Sequence, residues 1–211
     1  GIVSGIEASG GIVGDWTDPG PGNVYRTHIF TASGAFNVTS LGESSFDDEI
    51  DYVIVGGGGG GNAYGGTLGY ELGGGGAGAF IRQGISSPKT VSVQSYPVVI
   101  GAGGAGGDYK NSPQHKGQNT TFYGLTAEGG GGAGDGSNPN APGSAGGSGG
   151  GGSFAPPNPG PTYKVGGNAS GASAPGPVIA SGDATDSPNA GWGHAGGNAN
   201  FNPNRGAGGG G

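Results

Sequence analysis

Gly56-x-Gly58-x-x-Gly61, directly after the apolar run Ile50 to Val55, has the spacing of a dinucleotide-binding loop. That chemistry needs a tight turn, a close backbone approach to a pyrophosphate, and a helix whose first amides meet the phosphate. The residues that follow, Asn62-Ala63-Tyr64-Gly65-Gly66-Thr67, start no helix. Glu71 stands near the position of a ribose-binding acid but has no second strand before it. The pattern recurs at Gly101-x-Gly103-x-x-Gly106, as it must in any glycine-rich chain. A nucleotide site is therefore not expected, and neither is any other cofactor.

Metal and acid–base chemistry have no better footing. His28, His115 and His194 show no metal-ligand spacing, and His28 falls in an expected strand, where a structural role is favoured. Asp47, Asp48, Glu49 and Asp51 cluster ahead of a strand but lack the calcium-loop pattern, so they read as a solvated turn. No G-x-S-x-G is present to hold a nucleophile, and no Ser-His-Asp set can be built from spacing. No catalytic residue and no metal site is expected, and enzyme is the weakest function class. Loop aromatics are more suggestive. Tyr64, Tyr70, Tyr109, Tyr163 and Trp192, with His115 and His194, lie among Gly, Asn and Ser, the composition of adaptable binding loops. They are the candidate receptor contacts, stacking on sugar rings or packing on a protein. For any one of them, shielding an open face of the fold is an equal alternative.

What positions these loops is an unusual chain. Of 211 residues, 59 are Gly and 15 are Pro, and 31% are hydrophobic. Glycine loses the most backbone entropy on ordering, so this composition alone points to disorder, and an oil-drop core can form over a limited stretch only. The net charge of −7 disfavours nucleic acid and anionic membranes, which are bound through clustered Lys and Arg. No apolar run approaches the roughly 20 residues that span a bilayer, so membrane insertion is not expected. Without cysteine there are neither disulfides nor thiolate metal sites. The chain opens at Gly1 without Met or a signal peptide and stops inside a glycine run, the expected look of a processed or partial product.

Residues 1–55 read as a β-rich region. Val24 to Phe30 and Ala35 to Val38 are rich in β-formers, with Ser33-Gly34 between them as turn chemistry, so a hairpin is expected. Ile50 to Val55 reads as a strand buried on both faces. Further strands are expected at 79–82, 90–93 and 96–100, and a weaker one at 120–123. No 3.6-residue apolar period runs for ten residues, so essentially no α-helix is expected. Residues 56–211 read as a second, glycine-rich region with interspersed short strands, or as one continuous domain with the first. Its runs at 56–61, 73–76, 101–107, 129–134, 146–152, 191–197 and 206–211 could form a flexible linker. Repetition of short runs between turn-forming Asn-Pro, Pro-Gly and Asp-Gly steps instead favours packed polyproline II helices, bonded between neighbours because no side chains separate them. The expected fold is mainly β and irregular: short strands followed by packed polyproline II glycine helices.

Thr27-His28-Ile29-Phe30-Thr31-Ala32-Ser33-Gly34-Ala35-Phe36-Asn37-Val38, then Asp51 to Gly61, resembles the opening of the glycine-rich domain of bacteriophage tail-fibre and adhesin proteins. The likeness continues through Gly73 to Ala77, Val98 to Gly104, Gly117 to Gly124 and Ala127 to Gly132, in order. Val38-Thr39-Ser40-Leu41-Gly42-Glu43 departs from the family's usual turn after the first Phe, and residues 135–211 match in composition only. The resemblance implies a packed sandwich of glycine helices on a virion appendage or other extracellular protein, with loops touching a host receptor.

The expected function is a non-enzymatic structural or adhesive module of an extracellular appendage, most simply a phage tail fibre. Its expected partners are further copies of itself and a host surface glycan or protein. The alternative is a self-assembling extracellular filament subunit of a microbe, polymerising through unpaired edges. Ice binding is a third class, but the regular Thr or Ala array it needs is not seen.

Overall fold

The structure is a computed structural model, and it describes residues 5–43, 48–63, 72–82, 88–108, 115–134, 142–153, 193–198 and 209–210. Alternation builds its centre. In strand β4 (Gly34–Ser40) Phe36 and Val38 are buried, and in β10 (Ser95–Val99) Tyr96 and Val98 are. The two strands pair antiparallel with Tyr96 opposite Phe36, which puts all four side chains on one face. With β1 (Glu7–Ser9), β12 (Thr120–Phe122) and β13 (Leu125–Ala127) they form a five-stranded antiparallel sheet ordered β1-β4-β10-β12-β13. Val91 completes the buried cluster of Phe36, Val38, Tyr96 and Val98, and Phe30 and Phe122 pack against it. Tyr123 and Gly124 both take positive φ at the β12–β13 turn, as a two-residue hairpin requires.

A second cluster joins Ile54, Ala79, Ile81, Leu125 and Ala127. It ties the sheet to the antiparallel pair β6 (Val53–Val55) and β8 (Phe80–Arg82). Two more short pairs, β5 (Glu49–Ile50) with β9 (Lys89–Thr90) and β7 (Asn62–Ala63) with β11 (Gly107–Asp108), sit at the margins. The last strands, β2 (Ile12–Thr17) and β3 (Val24–Ile29), form a hairpin of their own.

Five glycine-rich segments run on from strands. Residues 56–62 follow β6, 73–79 precede β8, 101–107 follow β10, 115–119 precede β12, and 128–134 follow β13. Gly56, Gly59 and Asn62 donate N–H to the carbonyls of Ala79, Gly76 and Gly73, at 2.9, 2.7 and 3.4 Å. Gly57 and Gly60 donate to Gln118 and His115 on another neighbour. The carbonyls of Gly57 and Gly60 accept from Gly130 and Ala133, and those of Gly58 and Gly61 accept from Gly104 and Gly107. Segment 56–62 is thus bonded to four others, and along each contact the bonds recur every third residue. A further layer, 144–153, is bonded through Gly131 N–H to Ser148 O and Gly134 N–H to Gly151 O, both at 2.8 to 2.9 Å. A Cβ on Gly60 would overlap the Ala105 carbonyl oxygen, and one on Gly117 would overlap that of Gly57. Glycine is what lets the backbones come this close.

The chain is mainly strands, and its described residues contain no α-helix, as the missing helical period implies. Two expectations are corrected. Val24 to Phe30 does not pair with Ala35 to Val38. All six residues of β3 pair instead with β2, from Ile12↔Ile29 to Thr17↔Val24, while β4 pairs with β1 and β10. The loop Asp18-Pro19-Gly20-Pro21-Gly22-Asn23 explains the preference. Asp18 N–H bonds Asn23 O, Gly22 N–H bonds Asp18 O, and the Asp18 carboxylate accepts from Gly20 N–H, closing a local hairpin at little entropic cost. Nor is Ile50 to Val55 one strand buried on both faces. It is split between β5 and β6, and only Ile54 of β6 is buried, with Val53 and Val55 exposed.

Candidate functional site

Among the sequence-derived receptor contacts, His115 and His194 are described. Tyr64, Tyr70, Tyr109, Tyr163 and Trp192 lie outside the described residues. Both histidines serve the glycine layers through their backbones. The His115 carbonyl accepts from Gly60 N–H at 2.8 Å, and the His194 carbonyl accepts from Gly149 N–H at 2.8 Å. His194 N–H in turn donates to Ser148 Oγ at 3.1 Å. The His194 side chain is exposed and that of His115 half-buried. Among the described residues no three His, Cys, Asp or Glu side chains gather as a metal site.

The dinucleotide-like loop is committed elsewhere. The N–H groups of Gly56, Gly57, Gly59 and Gly60, which would have to cradle a phosphate, are bonded to the carbonyls of Ala79, Gln118, Gly76 and His115. This backbone satisfies itself inside the protein.

Buried hydroxyls fill the gaps between layers. Ser148 and Ser153 are each 1% exposed, and Ser144 is also buried. Ser144 Oγ accepts from Gly132 N–H at 2.7 Å, and Ser153 Oγ accepts from Gly73 N–H at 2.8 Å while donating to Gly134 O. Asn119 Oδ1 takes Gly129 N–H at 2.9 Å, and Thr120 Oγ1 takes Gly101 N–H at 3.0 Å, where strand gives way to glycine. Each supplies a partner to an amide that would otherwise be buried at the cost of a lost hydrogen bond.

Two aromatic groups emerge that residue type in loops did not suggest. The first lies on the main sheet. Tyr96 and Tyr123 stack with centroids 5.2 Å apart beside an open concavity of about 460 Å³, lined by residues 94–97 and 121–126. Burial opposes ionisation of the Tyr96 phenol, but hydrogen bonds from Ser92 and Gln94 outweigh it and hold its pKa below the usual tyrosine value. Tyr123 Oη donates to Thr90 O, tying the platform to β9. The second is the β2–β3 hairpin, where Trp16 stacks on Tyr25 with centroids 5.6 Å apart and planes 28° apart, both about half exposed. On the opposite face Arg26 binds Asp15 through Nε at 2.8 Å, and His28 packs edge-on to Phe36 at 5.1 Å with Nδ1 2.7 Å from Gly10 O. His28 therefore anchors the hairpin to the core, the structural role its strand position suggested. The signal for Trp16–Tyr25 was present in the sequence, as two β-rich runs across a Pro-Gly loop, but the competing Ser33-Gly34 turn masked it.

These features define a mainly β protein whose strands extend into hydrogen-bonded glycine layers. The chain belongs to the family of the glycine-rich domain, whose model matches residues 31–211. No curated protein and no solved structure matches it.

Proposed function

We propose that this protein is a non-enzymatic structural or adhesive module of an extracellular appendage, most simply a phage tail fibre, and that its glycine segments are polyproline II helices packed side by side. One observation carries the reading: the three-residue recurrence of the bonds that 56–62 makes to its neighbours. Three residues per turn is the period of polyproline II, which has no internal hydrogen bonds and so offers every N–H and C=O to its surroundings. A β-strand repeats every two residues and bonds in one plane only. A scaffold of this kind holds its shape with backbone alone, so the segments linking its layers carry variable binding residues without repacking a core. That suits attachment to a host surface glycan or protein, and it needs neither nucleic acid nor membrane insertion. The resemblance of residues 24–134 to tail-fibre and adhesin domains supports the virion placement.

Immunogold labelling with antibody to this chain tests the location. Label on virion fibres or other surface appendages is the expected result, and label confined to cytoplasm overturns it. Raman optical activity of the purified chain tests the helices, and a spectrum with β signal but no polyproline II band removes them.

A further inference from the structure

The β2–β3 hairpin presents a complete apolar face to solvent. Antiparallel pairing puts Ile12 with Ile29, Gly14 with Thr27, and Trp16 with Tyr25 on one side. Ile12, Ile29, Trp16 and Tyr25 are 62, 52, 55 and 49% exposed. Among the described residues β2 and β3 pair only with each other, and His28 ties them to the core through the opposite face, so a two-stranded unit carries this apolar face without a layer over it.

We propose that this face packs against the same face of a second copy of the chain. Its layout is self-complementary. Gly14 and Thr27 form a low centre between an aliphatic end and an aromatic end. A two-fold axis through that centre lays Trp16 and Tyr25 on the partner's Ile12 and Ile29, an isologous contact. An aromatic side chain offers roughly 150–250 Å², so these half-exposed groups leave about 450 Å² uncovered per copy. Two copies then bury about 900 Å², close to the roughly 1,000 Å² of a small biological interface and fitting a weak, concentration-dependent dimer. A glycan stacked on the aromatic pair would leave Ile12 and Ile29 in water, so the second copy accounts for more of the face. The charged pair Asp15–Arg26 lies on the other side and stays solvated.

The inference concerns the purified chain and does not rest on the adhesive reading. The chain has no cysteine, so a single introduced thiol gives an unambiguous cross-link. Thr27→Cys, beside the axis, is expected to oxidise to a disulfide-linked dimer, and Thr17→Cys, on the opposite face, is not. In sedimentation the unaltered chain is expected to dimerise with concentration. Trp16→Ser is expected to weaken the dimer tenfold or more, as loss of an interface hot spot does, while Val13→Ser on the opposite face leaves it intact. A chain monomeric at its highest soluble concentration overturns the proposal. So does equal cross-linking of the two cysteine variants, or a monomer whose tryptophan fluorescence responds to oligosaccharide.

Discussion

Gly56 donates its N–H to the carbonyl of Ala79 at 2.9 Å, and at this bond a two-residue ladder becomes a three-residue one. Just before it, Val53, Ile54 and Val55 face Arg82, Ile81 and Phe80 in an antiparallel register. The same register then runs on without a slip through Gly59–Gly76 and Asn62–Gly73. Elsewhere too, the Thr120–Ala127 pairing of β12 and β13 continues as Gly117 N–H to Gly130 O, and the Val98–Phe122 pairing of β10 and β12 as Gln118 N–H to Ala102 O. The strands, which have apolar side chains to fix their pairing, set the alignment of glycine-rich segments that have few.

Glycines facing a neighbour's backbone should therefore be irreplaceable, and those facing outward should not. Gly60→Ala drives a methyl into the Ala105 carbonyl, whereas a Cβ on Gly58 meets only Gly76 O at 3.9 Å. Gly60→Ala is expected to cost about 2 kcal/mol or more, as overpacking does. Gly58→Ala is expected to be neutral or to stabilise by up to about 1 kcal/mol through the unfolded chain. Denaturant melts of the two variants make the comparison.

Ile81, 1% exposed, packs with Leu125 and Ala127 and stands opposite Ile54 in the β6–β8 register that 56–62 continues. Ile81→Ala is expected to lose about 2–5 kcal/mol. Amide exchange should rise at Gly56 and Gly59 more than at Val98, since the damage spreads into the glycine segment that β6 aligns.

Removal of a buried hydroxyl should act locally. Ser153→Ala deprives Gly73 N–H of its acceptor, with an expected cost of about 1–3 kcal/mol. Faster exchange at Gly73 is the specific readout, and unchanged exchange there refutes the role assigned to this serine.

The hairpin should be sensitive to acid. The hydrogen bond from Arg26 to the Asp15 carboxylate, with the guanidinium charge, holds that carboxyl below its ordinary value. A depressed folded-state pKa stabilises above the unfolded value of about 3.9 and loses that contribution as pH falls through the folded value. Both groups are exposed, so the effect is small and screened by salt. Acid titration followed by the Trp16–Tyr25 ring signals in NMR should show a transition below pH ~4 that Asp15→Asn abolishes.

Much of the strand framework was legible because it rests on alternation. Phe36, Val38, Tyr96 and Val98 sit at every second position, and the five-stranded sheet buries those positions. The pairing of β3 was not legible, because Ser33-Gly34 and Asp18 to Asn23 are both plausible turns and only tertiary contact chooses between them. Glycine runs announce close approach but not a partner, since identical residues carry no register. Leu125 to Ala127 escaped notice because three residues give too short a pattern. The aromatic platform of Tyr96 and Tyr123 was hidden for another reason: one ring comes from β10 and the other from the β12–β13 turn, 27 positions further along the sequence.

Bonding in steps of three has a consequence for how such a chain tolerates changes in length. In the proposed polyproline II packing, removing one or two residues from a run like 129–134 rotates everything beyond the cut by a fraction of a turn, pointing amides where no carbonyl waits. Removing three restores each group to its former direction and shifts it by one turn along the same neighbours. Lineages of this domain should therefore gain and lose glycine in triplets of residues, nine nucleotides at a time, so that length drifts while orientation is conserved.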